Sequence, residues 1–263
     1  MTDGASPTIH DVFEVLNRWR HLPSYPLEGR AAPFFEVFLR DVLSVHFETR
    51  IHDTLVPEFP LRVGTLYPDE AGGGPGSTGA RKPSRDQSYN VDYVAFGTDN
   101  RTAYLVELKT DVESIRTEQQ DYLDTARNTA FRSLVEGVGE LARASNRKQK
   151  YVHLLHRLAA DGLELVHMPK ALYDKSFPKM RPGWTRAMDA LSVGREADLR
   201  VEIVFVQPRK HESSDRPGDF HYIYFDDVAD IVEKRGDLGQ VFAAYLRQWT
   251  KQAGFRDPRQ LGQ

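Results

Sequence analysis

Two apolar runs in the middle of the chain set the frame. NVDYVAF (90–96) and TAYLVELK (102–109) are rich in Val, Tyr, Phe and Leu, with GTDNR between them. Strand-forming runs joined by turn residues predict a β-hairpin, here with Asp99 and Asn100 at its tip. The tip fixes the register: Phe96 opposes Ala103, Val94 opposes Leu105 and Asp92 opposes Glu107. Around the hairpin the periodicity is mostly helical. Thr8 reads as an N-cap for a helix carrying Ile9, Val12, Phe13 and Leu16. A second helix is expected from near Pro33 to about Phe47, then a strand around 60–66. A stretch dense in Gly, Pro and Ser (70–86) predicts a flexible loop. A long helix is expected over 113–143, and YVHLLHRL (151–158) is ambiguous between helix and strand. RVEIVFVQ (200–207) predicts a late strand, HYIYF (221–225) a shorter one, and one or two helices fall between Asp226 and Gln252. This order predicts an α/β fold (α+β mixed sheet) with helices on both faces of a central sheet.

Composition narrows the classes without naming one. The chain has 263 residues, is 40% hydrophobic and 28% charged, and carries a formal net charge of −3. That suits one sizeable core, and any nucleic-acid binding has to rest on local basic patches. The absence of cysteine excludes disulfides, thiolate zinc sites and cysteine nucleophiles. MTDGASPTIHDVFEV contains no basic region followed by an apolar run, and no segment is apolar enough to span a bilayer. The expectation is a cytoplasmic protein with no membrane partner.

The chemistry concentrates at the end of the hairpin opposite the turn. The register puts Asp92 across from Glu107, and Lys109, two residues on, shares that side. Opposed carboxylates repel, and a divalent cation held between them removes the repulsion. A lysine ammonium beside them can orient a water or stabilise charge on a phosphate. Glu-x-Lys is also common on solvated strands. Against that, Val94, Phe96, Ala103 and Leu105 make the charged face apolar. Val91, Tyr93, Tyr104, Val106 and Leu108 do the same for the opposite face. Strands apolar on both faces are covered on both faces, so the charges sit beside a core.

Asp92 on one strand and Glu107-x-Lys109 on the next resemble the PD-(D/E)xK nuclease superfamily, which has the restriction-endonuclease-like fold. Val91 stands where that family often has proline. The resemblance implies a Mg²⁺-dependent phosphodiesterase, with Mn²⁺ as a substitute, acting on nucleic acid and on DNA first. It implies Asp92 and Glu107 as metal ligands, with the Leu108 carbonyl as a further ligand and Lys109 assisting the attacking water. Glu36, on a stripe with Leu39 and Leu43, matches the acid that the upstream helix often supplies. Gln119, with Ile115, Tyr122 and Ala126, matches the glutamine of the following helix in the RecB-like branch. Its spacing to Tyr122 is shorter than usual there. The resemblance covers a core of about 32–143 plus 200–207 within a single domain of 1–263. It is silent on an insertion expected to be helical and irregular, about 144–197. A non-catalytic nucleic-acid-binding or assembly subunit on the same fold, and an unrelated α/β protein with VELK on a surface strand, stay open, as does a homodimer or partner subunits.

Two basic stretches stand out. Arg143, Arg147, Lys148 and Lys150 lie in ARASNRKQK with no acid among them, and residues 170–186 hold Lys170, Lys175, Lys179, Arg181 and Arg186 near Phe177 and Trp184. Either can follow a phosphate backbone or be an ordinary solvated face. His153 and His156 lack a third ligand at metal spacing. There is no GxSxG or GxxxxGK[ST] motif.

Overall fold

The computed structural model describes residues 8–19, 27–68, 84–111, 116–160, 162–173, 181–209 and 220–252. Most of the predicted loop at 70–86 falls outside them, as do residues 174–180 of the second basic stretch and Ile115. A five-stranded mixed sheet lies at the centre. Its strands are β1 (Val56–Arg62), β2 (Ser88–Phe96), β3 (Thr102–Leu108), β6 (Arg200–Gln207) and β7 (His221–Tyr224), in that spatial order. β1–β2–β3 are antiparallel, whereas β6 and β7 run parallel to β3. β4 (Val166–His167) and β5 (Ser192–Val193) form a separate two-stranded ribbon.

Helices cover both faces. One face packs against α1 (Ile9–Trp19), α2 (Leu27–His46), α8 (Phe225–Val232) and α9 (Gly236–Gln252), through Phe13, Leu39, Leu43, Phe242 and Trp249. The other packs against α4 (Thr117–Arg127), α5 (Phe131–Ala144), α6 (Lys148–Leu158) and α7 (Arg181–Asp189), through Phe131, Val135, Leu155 and Trp184. A single helical turn, α3 (Val63–Leu66), follows β1. All seven residues of central β3 are buried, as expected for a strand covered on both sides. The fold is therefore α/β, as the element order predicts.

The hairpin register is the predicted one as far as the ladder runs, with Phe96 paired to Ala103, Val94 to Leu105 and Tyr93 to Val106; the expected Asp92–Glu107 pair lies beyond its end. Asn100 takes a φ of +53° at the tip, a left-handed conformation that asparagine tolerates well. Gly97 sits close beside it. A Cβ there would lie 2.8 Å from Asp99 Oδ1, which folds back to accept from the Arg101 amide at 3.1 Å.

Several boundaries differ from the pattern. α2 begins at Leu27, not near Pro33, so the proline sits inside the helix. Burial of Leu27 and Ala31 against the core outweighs the bond that Pro33 cannot donate. The strand expected at 60–66 is β1, shifted to Val56–Arg62, and residues 63–66 turn helical. Pro57 and Pro60 disguise it, and they are tolerated because β1 is an edge strand. The long helix expected over 113–143 breaks between α4 and α5. There Asn128 Nδ2 donates to the Asp124 carbonyl (2.9 Å) and Thr129 Oγ1 to that of Thr125 (2.8 Å). Side chains that bond the preceding turn compete with helix continuation. Phe131 then enters the core against Phe59 and Phe96. In α1, Phe13 and Leu16 are buried but Val12 is 45% exposed.

Candidate functional site

The hairpin closes tightly at its turn and opens at its other end. Antiparallel partners alternate between pairs that exchange two bonds and pairs that exchange none. Gly97 donates to the Thr102 carbonyl at 3.0 Å, so the next bonded pairs are Ala95–Tyr104 and Tyr93–Val106. The ladder stops there. Continuing it, the Leu108 amide would face Val91. Instead the Asp92 carboxylate takes that amide, Oδ2 accepting at 2.7 Å. β2 and β3 therefore diverge at Asp92 and Glu107, and an acid side chain fills the fork.

The divergence shows in the packing. Val91 joins the cluster of Val94 and Phe96 instead of that of Tyr93, where strict alternation put it. The slip occurs across from Glu58 in β1, which is bracketed by the pairs Pro57–Tyr93 and Phe59–Val91. Glu58 has a φ of +51°, which breaks the extended run of β1.

On β3, Glu107 pairs with Phe205 of β6 and so faces the α4 side of the sheet. Glu107 and Lys109 form a buried ion pair, Nζ to Oε1 at 2.8 Å, each side chain 6% exposed. The Lys109 amide is fixed separately, donating to the Val206 carbonyl at 2.8 Å. α4 delivers Gln119, whose Nε2 donates to the same Oε1 of Glu107. Two donors thus converge on one carboxylate oxygen. Gln119 is the right member of the Gln119-Gln120 pair, because Tyr122 and Ala126 on its stripe are buried. Tyr122 stacks on Tyr89 at 4.3 Å. Burial, then the charge of Glu107, pushes the Tyr122 hydroxyl well above the usual phenol range.

Glu36, on α2, acts on Tyr93: the Tyr93 hydroxyl donates to the Ala32 carbonyl at 3.0 Å, and burial followed by the charges of Glu36 and Asp92 raises its pKa strongly. Leu108 places its amide at Asp92 and its side chain in the core. Among the described residues, no three acids or histidines are close enough to form a ready-made metal cage. The donor chemistry still fits a hard divalent ion, since Mg²⁺ commonly keeps several waters and takes one or two carboxylates from the protein. Asp92 and Glu107 would be that pair.

The chain matches no known protein family, no curated protein and no solved structure.

The first basic stretch does not stay together. Arg143 is tied down, donating to Glu140 (2.6 Å) and to the Met188 carbonyl (2.8 Å). Lys148 lies over the buried Trp184 ring, 5.5 Å from its centroid, a cation–π contact. Arg147 and Lys150 are exposed and line a groove of about 600 Å³ between α6 and the β1–β2 edge. Glu58 and Arg157 line it as well, and the sequence pattern singled out neither. Glu58 hides between two prolines in a strand placed too late. Arg157 hides in the ambiguous YVHLLHRL run. Among the described residues, no helix is long and apolar enough to cross a membrane.

Proposed function

We propose that the protein is a metal-dependent nuclease of the PD-(D/E)xK kind, hydrolysing phosphodiester bonds in nucleic acid and in DNA first. One observation carries this reading: the Asp92 carboxylate holds the backbone amide between Glu107 and Lys109 where two strands of the sheet part, with Gln119 and Lys109 on the glutamate. The place is chemically apt. Glu107 and Lys109 lie at the carboxyl end of central β3, and crevices outside the carboxyl ends of strands in open α/β sheets commonly take ligands.

Asp92 and Glu107 would hold Mg²⁺, or Mn²⁺ in its place. Such an ion supplies Lewis-acid polarisation of the phosphate and a bound water of lowered pKa. Gln119 fixes the Glu107 carboxylate, and Lys109 holds a positive charge beside it for the phosphate or the attacking water. In this arrangement the ammonium already acts as counter-ion to Glu107. With an ion held by Asp92 and Glu107, the Glu107 carboxylate would be shared between it and Lys109, whose Nζ would supply positive charge for the phosphate or the attacking water. Glu36, whose charge reaches Tyr93 together with that of Asp92, would complete the metal shell from α2.

Calorimetric titration with Mn²⁺ should show binding that Asp92→Ala abolishes. Plasmid nicking with Mg²⁺ should be lost in Lys109→Ala, by a factor on the order of 10²–10⁴ for a lost proton-transfer or charge-stabilising group. A wild type that binds no metal ends the nuclease reading.

A second reading is a non-catalytic nucleic-acid-binding or assembly subunit on the same scaffold. It is favoured by the close, buried Glu107–Lys109 pairing, which lets the two charges neutralise each other without an ion. Metal binding without cleavage of any DNA or RNA would support it.

A further inference from the structure

We infer that the outer face of α6 is a track for one phosphodiester strand, leading it along the groove to the Asp92 end of the hairpin. The inference rests on the nucleic-acid reading above and says where the strand lies. Arg147, Lys150 and Arg157 are exposed and all line the same groove, while Val152, Leu155 and Leu158 on the opposite side of α6 are buried. Steps of three and seven residues keep the three cations on one side of a helix. Among the described residues no ion pair joins any of them to an acid, so their charge is available to a ligand. The other charged residue in the groove wall is an acid, Glu58, at the far edge and across from Asp92. Its partner there is Asn90, whose Nδ2 donates at 3.3 Å.

Spacing selects a strand over a single phosphate. Ten residues of α helix separate the outer cations by about 15 Å, more than one phosphate can bridge. Successive phosphates of a strand advance by roughly 3.4 Å even along a duplex axis, so the row spans more than one phosphate of the same strand. The start of α6 adds to the field. Arg147 and Lys150 flank its N-terminus, where the helix dipole is positive. Position gives the direction. Arg157 Nη1 donates to the Leu55 carbonyl at 2.9 Å, pinning this end of α6 at the start of β1. From β1 the groove wall continues through Glu58 and Asn90, beside Asp92. Phosphates held along α6 would therefore approach the diverging strands, and the Glu58 charge at that edge disfavours a phosphate stopping short of the metal-binding pair.

The test is fluorescence anisotropy with a labelled 20-nucleotide DNA, and with RNA of the same sequence, across a salt series. Arg147→Ala/Lys150→Ala should weaken binding about tenfold whatever the sequence and make the log–log salt slope shallower by about 1.4, two single-strand contacts. Arg147→Lys/Lys150→Arg should restore both. Lys150→Glu, one exposed reversal, is the second variant should the double change fail to fold. The DNA and RNA arms decide which strand is preferred. Unchanged affinity and slope in a folded variant overturn the inference. So does a wild type that binds neither strand, or thymidine monophosphate competing equally per phosphate. Failure of the nuclease reading looks different: α6-dependent binding with no cleavage leaves the track standing. Cleavage that ignores α6 sinks the track alone, and Lys109→Ala should lose cleavage while keeping the salt slope.

Discussion

The two ends of the β2–β3 hairpin are built from similar strand-forming residues and end in opposite ways. At the turn, Phe96 and Ala103 are fully buried, the ladder closes on Gly97–Thr102, and the only special demand is the left-handed Asn100. At the other end the ladder gives out, and a carboxylate, an ammonium and an amide occupy space that apolar side chains would fill more cheaply. A sheet that keeps a buried ion pair beside a fully apolar core carries a desolvation cost that packing alone does not require. That is the physical reason to treat the open end as functional and the closed end as scaffold.

The comparison is sharpest in stability. Glu107→Ala leaves the Lys109 ammonium buried without its carboxylate and should cost about 3–5 kcal/mol in urea unfolding. Phe96→Ala at the closed end should cost a similar amount, about 3–5 kcal/mol, by emptying the core. The two losses should differ in how they are repaired. Glu107→Leu/Lys109→Met, which removes both charges, should return most of the stability. A double variant as unstable as Glu107→Ala would mean that the pair is not an isolated charge couple.

Gln119→Leu deletes a hydrogen bond to a charged group and should cost about 1.5–3 kcal/mol, read by the same denaturation. Loss of a few tenths only would show that Glu107 is held by Lys109 alone. At the turn, Asn100→Val forces a β-branched residue to positive φ and should cost about 1–2 kcal/mol, whereas Asn100→Gly should be nearly neutral. Equal effects would show that the turn does not set the register.

The smallest effect concerns pH. Burial and the Glu107 charge raise the Tyr122 phenol in the folded state. Its contribution is therefore fully present below the unfolded value, near 10, and is lost as pH rises through the folded one. Stability should fall in alkali, and Tyr122→Phe should reduce the slope by up to about 1.4 kcal/mol per pH unit. In Glu107→Gln, ultraviolet titration should place Tyr122 lower than in the wild type. An unmoved titration would separate Tyr122 from the site.

Much of this was legible in the chain. The tip residues Asp99 and Asn100 specified the hairpin and with it the pairing from Phe96–Ala103 to Tyr93–Val106, because register follows from the turn and from period-two alternation. β6 was legible as an uninterrupted apolar run, and Gln119 as the inward glutamine from its buried stripe. Edges and breaks were not. Pro57 and Pro60 look like strand breakers until β1 is known to be an edge. Pro33 looks like a first helical residue until Leu27 and Ala31 are seen buried ahead of it.

What the sequence determined, then, is local: the hairpin, its register and the inward faces of strands and helices, all set by turn chemistry and side-chain periodicity. The tertiary structure decided what those faces meet. It parted β2 from β3 and spent the Asp92 carboxylate on the Leu108 amide. It paired Glu107 with Lys109 and set Tyr93 within reach of the charges of both Glu36 and Asp92. It split one basic run into Arg143 and Lys148, held by the fold, and Arg147 and Lys150, left facing a groove. None of these follows from a local pattern, because each depends on which distant backbone or ring comes within a few ångströms of a charged group.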